Sequence, residues 1–265
     1  MASTSSPWHA RWALILAMLL PLYILAAAVG TKFGWWGWQF GLGTMLFKWG
    51  PFVIGGVALI AAISLIACLL KPPRVGWGKA LFALLIPGII VGAVVNLQSK
   101  TAEIPAIHDV TTAPDNPPAF SEGWTQRRVN AGSNALLDYA EPLNQSEMYQ
   151  DDRFSELGTK SLAEINAESY SDLEPLPLGD NTPQQASDAV LGAMRSMGAI
   201  ETDAISGQVF GTFETFWFGF QDDVAVRIAD GQIDFRSVSR VGISDIGKNA
   251  ERIRELRAAT AARLR

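Results

Sequence analysis

The chain has 265 residues, is 49% hydrophobic and carries a net charge of −5, an average over two unlike parts. Residues 1–100 hold seven Lys/Arg and no Asp or Glu, whereas residues 101–265 hold all 26 acids with 14 Lys/Arg and sum to −12. The split assigns the two parts to different environments. One cysteine and two histidines exclude a disulfide framework and a Cys/His zinc site, and leave a Ser-His-Asp machine with a single available histidine, His108.

The first environment reads as a lipid bilayer. Trp12–Gly30 is uncharged and long enough to span. A second apolar run covers Pro51–Leu70, with Lys48 placed to snorkel. A third, Ala80–Val95, becomes a full span once Val75–Lys79 is added. Pro21 and Pro87 fall inside spans one and three and read as kinks, because neighbouring helices re-satisfy freed carbonyls. A cleaved signal peptide ending near Ala26-Ala27-Ala28 is the rival reading of the first run.

Positive charge sets the expected orientation. Arg11 precedes span one, and Lys71, Arg74 and Lys79 lie between spans two and three, so these segments are expected on the cytoplasmic side. The C-terminal domain then faces outward, which in a bacterial inner membrane is the periplasm. Trp8, Trp12 and Trp77 flank the inner ends of spans, while Trp35, Trp36, Trp38 and Trp49 cluster in the outer loop. Indoles favour the interface, so this is an aromatic belt or a platform for lipid or a partner.

Residues 101–120, TAEIPAIHDVTTAPDNPPAF, hold four prolines and read as an ordered, extended strap or a stiff linker. His108-Asp109 could bind something there, but a surface histidine is the reading preferred. The remaining residues, 121–265, form the expected outer domain. A short helix is expected around Asp151–Ala167. Thr182-Pro183-Gln184-Gln185 reads as an N-cap, a proline at the first helical position and a capping-box Gln. Ala186, Val190, Ala193, Met194 and Met197 then recur at helical spacing before Gly198. Strands are expected over Gln208–Thr215 and Phe216–Phe220, as one or two elements.

Val224–Ile228 and Ile233–Val241 flank Asp230-Gly231, a two-residue hairpin signal. That turn sets Ile228 opposite Ile233, Arg227 opposite Asp234 and Val226 opposite Phe235. One face then carries Val224, Val226, Ile228, Ile233 and Phe235; the other carries Asp223, Arg227, Asp234, Arg236 and Arg240. A last helix is expected over Asn249–Leu264. The order of elements predicts an α+β fold: three N-terminal transmembrane helices, then an antiparallel sheet with helices packed on one face.

The stretch DFRSVSRVGISDIGKNAERIREL, Asp234–Leu256, concentrates the candidate site. As a structural cluster, Asp234 pairs across the strands with Arg227, Ser237 and Ser239 point to the other face, Asp245 caps the approach to the last helix, Asn249 is its N-cap, and Arg252 reaches back toward Asp245. As a site, Arg236, Arg240 and Arg252 would take an anion, since guanidinium forks bind carboxylate or phosphate bidentately. Nearby aspartates would partly neutralise such a site. The motif DDVAVRI followed by DFRSVSRVGISDIGKNAERI resembles the signature of the domain of unknown function 1499 family, through Asp234, Arg236, Ser237, Ser239, Arg240, Gly242, Asp245, Gly247, Asn249, Arg252 and Ile253. IHDVTTAPDNPPAF resembles the lead-in of its longer, membrane-anchored members. The cysteine-bearing N-terminal segment of many shorter members is not found here, so no role resting on those cysteines is implied. The resemblance implies a domain boundary and no particular activity.

The sequence therefore points first to an inner-membrane protein with a periplasmic, non-enzymatic interaction domain, an accessory of a larger membrane complex, with the bilayer and other membrane proteins as partners. The alternative is binding of a small anionic molecule or lipid headgroup by the arginines. A third reading is a hydrolase using Asp234, Asp245 and a serine. No cofactor or metal is expected, and the acidic outer domain argues against nucleic acid.

Overall fold

The computed structural model describes residues 6–264. The chain divides into two compact units: Met1–Lys100 with Phe216–Gly219, and Thr101–Thr215 with Phe220–Arg265.

Three helical segments in the first hundred residues are long and apolar enough to cross a membrane: Trp8–Lys32, Gln39–Leu70 and Trp77–Thr101. The first is α1. The second opens as a π-helix over Gln39–Trp49 and continues as α2, Gly50–Leu70; the third is α3. Each extends beyond its apolar core in the sequence, because flanking Trp and Lys residues carry the helix past the uncharged run. The helices meet through small residues: Ala13, Ala17, Ala61 and Ala83 form one cluster and Ala10, Cys68 and Ala80 another. Close approach through small side chains replaces hydrophobic driving force in lipid. His9 Nδ1 lies 2.7 Å from Ser64 Oγ, a polar pair joining α1 to α2. Gly30 is required by contact, since a Cβ there would sit 2.1 Å from the Trp36 ring.

The second unit is built on a six-stranded antiparallel sheet. Its elements in order are β1 (Asp109–Thr111), α4 (Glu122–Asn130), α5 (Leu162–Ser169), β2 (Leu176–Pro177), α6 (Pro183–Ser196), β3 (Glu201–Ile205), β4 (Gln208–Glu214), β5 (Gln221–Ala229), β6 (Gln232–Ser239) and α7 (Lys248–Ala261). The strand order is β1-β6-β5-β4-β3, with β2 also on β6. Asp230 and Gly231 both adopt positive φ, 54° and 77°, in the β5–β6 turn. The pairing is the one that turn sets: Ile228 with Ile233, Arg227 with Asp234, Val226 with Phe235.

Helices α6 and α7 pack on one face, where Ala186, Val190, Ala193 and Met194 of α6 join Ile253 and Leu256 of α7, Val224, Val226, Ile233 and Phe235 in the main core. Thr182 and Gln185 form a reciprocal capping box with Pro183 at the start of α6, a cap contributing about 1 kcal/mol. The opposite face is covered by Phe120 of the strap and Trp124 of α4, which meet Phe210, Ala225 and Val238. Trp124 stacks on Phe210 at 5.6 Å.

Several local expectations are corrected. The strap does not expose His108: that residue is fully buried, and Asp109–Thr111 pairs with β6. The expected helix over Asp151–Ala167 is confined to its end, α5, capped by Ser161 and Glu164; short 3₁₀ turns precede it. Phe216–Phe220 is a turn closing β4 onto β5 rather than a strand. Strand β3 is an edge that the sequence hid, since Glu201-Thr202-Asp203 has no apolar alternation.

Candidate functional site

Strand pairing fixes which side chains share a face, because directly paired residues point the same way. Asp109 pairs with Val238, and Val238 with Asp223; Asp223 pairs in turn with Thr212. Arg236 is opposite Ala225, and Asp234 opposite Arg227. All therefore project to the α4 side. This charged face is not open to solvent: Asp109, Asp223, Asp234 and Arg236 are all buried. Burying charge is costly unless it is paired and hydrogen-bonded, and each is.

Asp109 receives two bonds from Arg236, Nε to Oδ1 at 2.9 Å and Nη2 to Oδ2 at 2.6 Å, and a third from Tyr139 Oη at 2.7 Å. Arg236 also donates Nη1 to the Pro118 carbonyl at 3.2 Å and lies over the Tyr139 ring at 5.0 Å. Burial alone pulls the guanidinium pKa down, but the Asp109 charge beside it prevails and holds Arg236 above its usual range. Tyr139 is pushed well up by burial and by the same carboxylate.

Asp223 is shared. Arg128 of α4 donates Nη1 to its Oδ2 at 2.7 Å; Arg240 donates Nε and Nη2 at 2.9 and 2.7 Å; Thr212 Oγ1 donates at 2.8 Å. Arg128 also donates to the carbonyls of Val238, Asn134 and Ser239, tying α4 to β6. Nearer the hairpin turn, Arg227 donates twice to Asp234 Oδ2, at 3.1 and 2.6 Å, and Gln232 donates to Oδ1 at 2.9 Å.

A second network lies on the α7 side. Ser237 donates to Asn249 Oδ1 at 2.6 Å, and Asn249 Nδ2 donates to Ser239 Oγ at 3.0 Å and to the His108 carbonyl at 2.9 Å. Arg252 Nη1 donates to Asn249 Oδ1 and Ser237 Oγ, while Nη2 donates to Asp222 at 2.7 Å. Arg252 thus pairs with Asp222 rather than with Asp245. Asn249 is not the N-cap either. Gly247 holds that position at φ 78°, and Asn249, one residue inside the helix, is fully buried. The capping is done by Asp245, which accepts from the backbone N–H of Gly247 at 2.8 Å and of Asn249 at 2.6 Å. Burial raises the Asp245 carboxyl to about 6, against the lowering effect of those two N–H donors.

The sequence-predicted residues accordingly fall into two groups. Asp234, Arg236 and Arg240, with Arg227, are on one face; Ser237, Ser239, Asn249 and Arg252 are on the other, with Asp245 at the helix start. Arg236, Arg240 and Arg252 do not converge. Asp234 lies across the sheet from the two serines, whose hydroxyls are engaged by Asn249. Arg128, Asp109, Tyr139 and Asp222 complete the networks; of these the sequence offered only Asp109, beside His108, as a pair able to bind something, and not as a partner of Arg236. Their signal is weak: Arg128 is one of two adjacent arginines on a nine-residue helix, and Asp109 opens a strand of only three residues. Among the described residues, no cluster of three or more His, Cys, Asp or Glu is arranged to hold a metal ion.

A membrane protein carrying an α+β domain framed by internal arginine–aspartate pairs is the class these features define. A family model described as "Protein of unknown function (DUF1499)" matches residues 109–260, and the chain belongs to that family. No curated protein and no solved structure matches it.

Proposed function

We propose that this chain is a bacterial inner-membrane protein, N-terminus cytoplasmic, whose C-terminal domain is a non-enzymatic docking module in the periplasm serving a larger membrane complex. The observation that carries this reading is the internal use of the arginines. Every guanidinium of the DFRSVSR segment and of its partners meets a carboxylate of the same domain at 2.6–3.1 Å. Such pairs fix one arrangement of strands and helix without leaving charge for chemistry. A small domain made rigid in this way, on three helices able to span a bilayer, is suited to presenting a surface.

The test is native mass spectrometry of the protein released from its own membranes in mild detergent. A mass increment equal to another polypeptide supports docking. A recurrent lipid-sized or smaller adduct, with no polypeptide, refutes it in favour of ligand binding. That second reading draws on one observation: Lys248 and Arg252 face a cavity of about 270 Å³. Glu214, Glu251 and Glu255 line the same cavity and oppose an anion there.

A further inference from the structure

The β4–β5 connection stands apart from the rest of this acidic domain. Thr215–Phe220, TFWFGF, has no charged residue. It is held shut by Thr215 N–H to the Phe220 carbonyl at 2.8 Å and Phe220 N–H to Thr215 Oγ1 at 2.9 Å, with Gly219 turning at φ 68°. The closed turn displays two rings in edge-to-face contact, Phe216 and Trp217, centroids 5.1 Å apart. Phe216 is 74% and Trp217 59% exposed, and among the described residues from 101 onward these are the exposed large aromatics. The Phe216 carbonyl accepts from Lys32 Nζ at 2.8 Å, and the same ammonium lies 5.2 Å from the centre of its ring, in keeping with Phe216–Gly219 grouping with the first unit. The two rings remain largely exposed, and apolar surface held in water costs free energy.

We propose that this hairpin tip is an interfacial anchor that inserts Phe216 and Trp217 into the headgroup region of a lipid bilayer. Three observations select lipid as the occupant. The ring chemistry suits an interface, where an indole buries its body and keeps its N–H hydrated. The domain is joined through α3 to a segment able to span a bilayer, so a lipid surface is at high effective concentration while any other partner must be recruited. The charge balance excludes the other common means of attachment: a domain of net −12 is repelled by anionic headgroups and has no polybasic route to the surface. An uncharged aromatic wedge is the remaining chemistry, and it favours zwitterionic lipid.

The experiment uses the full chain in phosphatidylcholine nanodiscs. An environment-sensitive nitrobenzoxadiazole label is placed at residue 217 (Trp217→Cys) or, as a control, at the exposed Val129 of α4 (Val129→Cys), both in a Cys68→Ala background. The label at 217 should emit to the blue of the label at 129, be quenched by shallow doxyl lipids, and react with aqueous dithionite several-fold more slowly. Equal dithionite rates at the two positions overturn the proposal. So does protection at 217 in native membrane vesicles but not in pure lipid, which would assign the tip to a polypeptide. Because the label is itself apolar, unlabelled protein provides the second measurement. In brominated phosphatidylcholine, the difference between wild type and Trp217→Phe should be a quenched indole; an unquenched difference spectrum overturns the proposal independently of the label.

Discussion

Replacing Asp109 by Asn should be among the most damaging isosteric changes in the domain. The substitution keeps the volume of a fully buried side chain but removes the charge facing Arg236, whose own side chain is 6% exposed. Two charge-assisted bonds and the Tyr139 bond are weakened together. Breaking a buried pair by neutralising one partner costs about 3–5 kcal/mol. With exposure this low, no discount for solvent screening applies. For a domain of this size, each kcal/mol lowers Tm by about 2–4 °C, so the expected drop is roughly 6–20 °C. Pulse proteolysis across a urea series, in mild detergent, reports the unfolded fraction of the domain without requiring the membrane helices to melt. The companion variant Asp109→Leu/Arg236→Met/Tyr139→Phe removes all three polar partners at once and should recover to within about 2 kcal/mol of wild type, because an apolar replacement of an entire buried network is often close to neutral. A loss below about 1 kcal/mol for Asp109→Asn, or a triple variant no better than the single one, would refute the reasoning.

Arg254→Gln, at a pair whose side chains are 46% and 56% exposed, should change stability by less than about 1 kcal/mol in the same assay. Asn249→Ala strands Ser237, Ser239 and the His108 carbonyl and should cost roughly 2–4 kcal/mol, since buried donors and acceptors lose their partners. Asp245→Asn tests linkage. A carboxyl held at about 6 when folded, against about 3.9 unfolded, binds its proton first in the native state, so its contribution to stability grows as pH falls from about 7 to about 4. His108, lowered chiefly by burial, acts in the opposite sense over the acid part of that range, so the informative quantity is wild type minus Asp245→Asn. That difference should rise toward acid pH; a flat difference refutes the assignment.

The hairpin and the capping box were legible because each is local. Asp230-Gly231 dictates its own turn, and the register of eight residue pairs follows from it; Thr182 and Gln185 satisfy each other within one turn. The charged face of β5 and β6 was legible as a face but not as an interior. Alternation reports which residues share a side, and the expectation that charges face water filled in the rest. Whether they do depends on Trp124 and Phe120 arriving from another part of the chain. His108 and Asp109 were hidden for the same reason. Proline spacing describes the strap, while burial is decided by Arg236, 127 residues away. The pairing of Arg252 with Asp222 instead of Asp245 turns on which carboxylate the tertiary fold brings within reach, and both were plausible neighbours in sequence or in register. The anion-site reading would have needed Arg236, Arg240 and Arg252 on one side, and the period of two already separates the first two from any residue on α7 that packs on the opposite face.

The pairing of β1 with β6 also governs the order in which the molecule is made. The strand that follows the three apolar helices is the first of the domain to leave the ribosome, yet its hydrogen-bond partners on β6 lie far later in the chain. Until they arrive, Asp109 has no guanidinium and the β1 backbone no ladder. The strap therefore waits unpaired until β6 has been made, and closure of the sheet has a long loop to close. A truncation anywhere before β6 leaves not a smaller domain but an open one, with its central strands exposed to proteases and to one another.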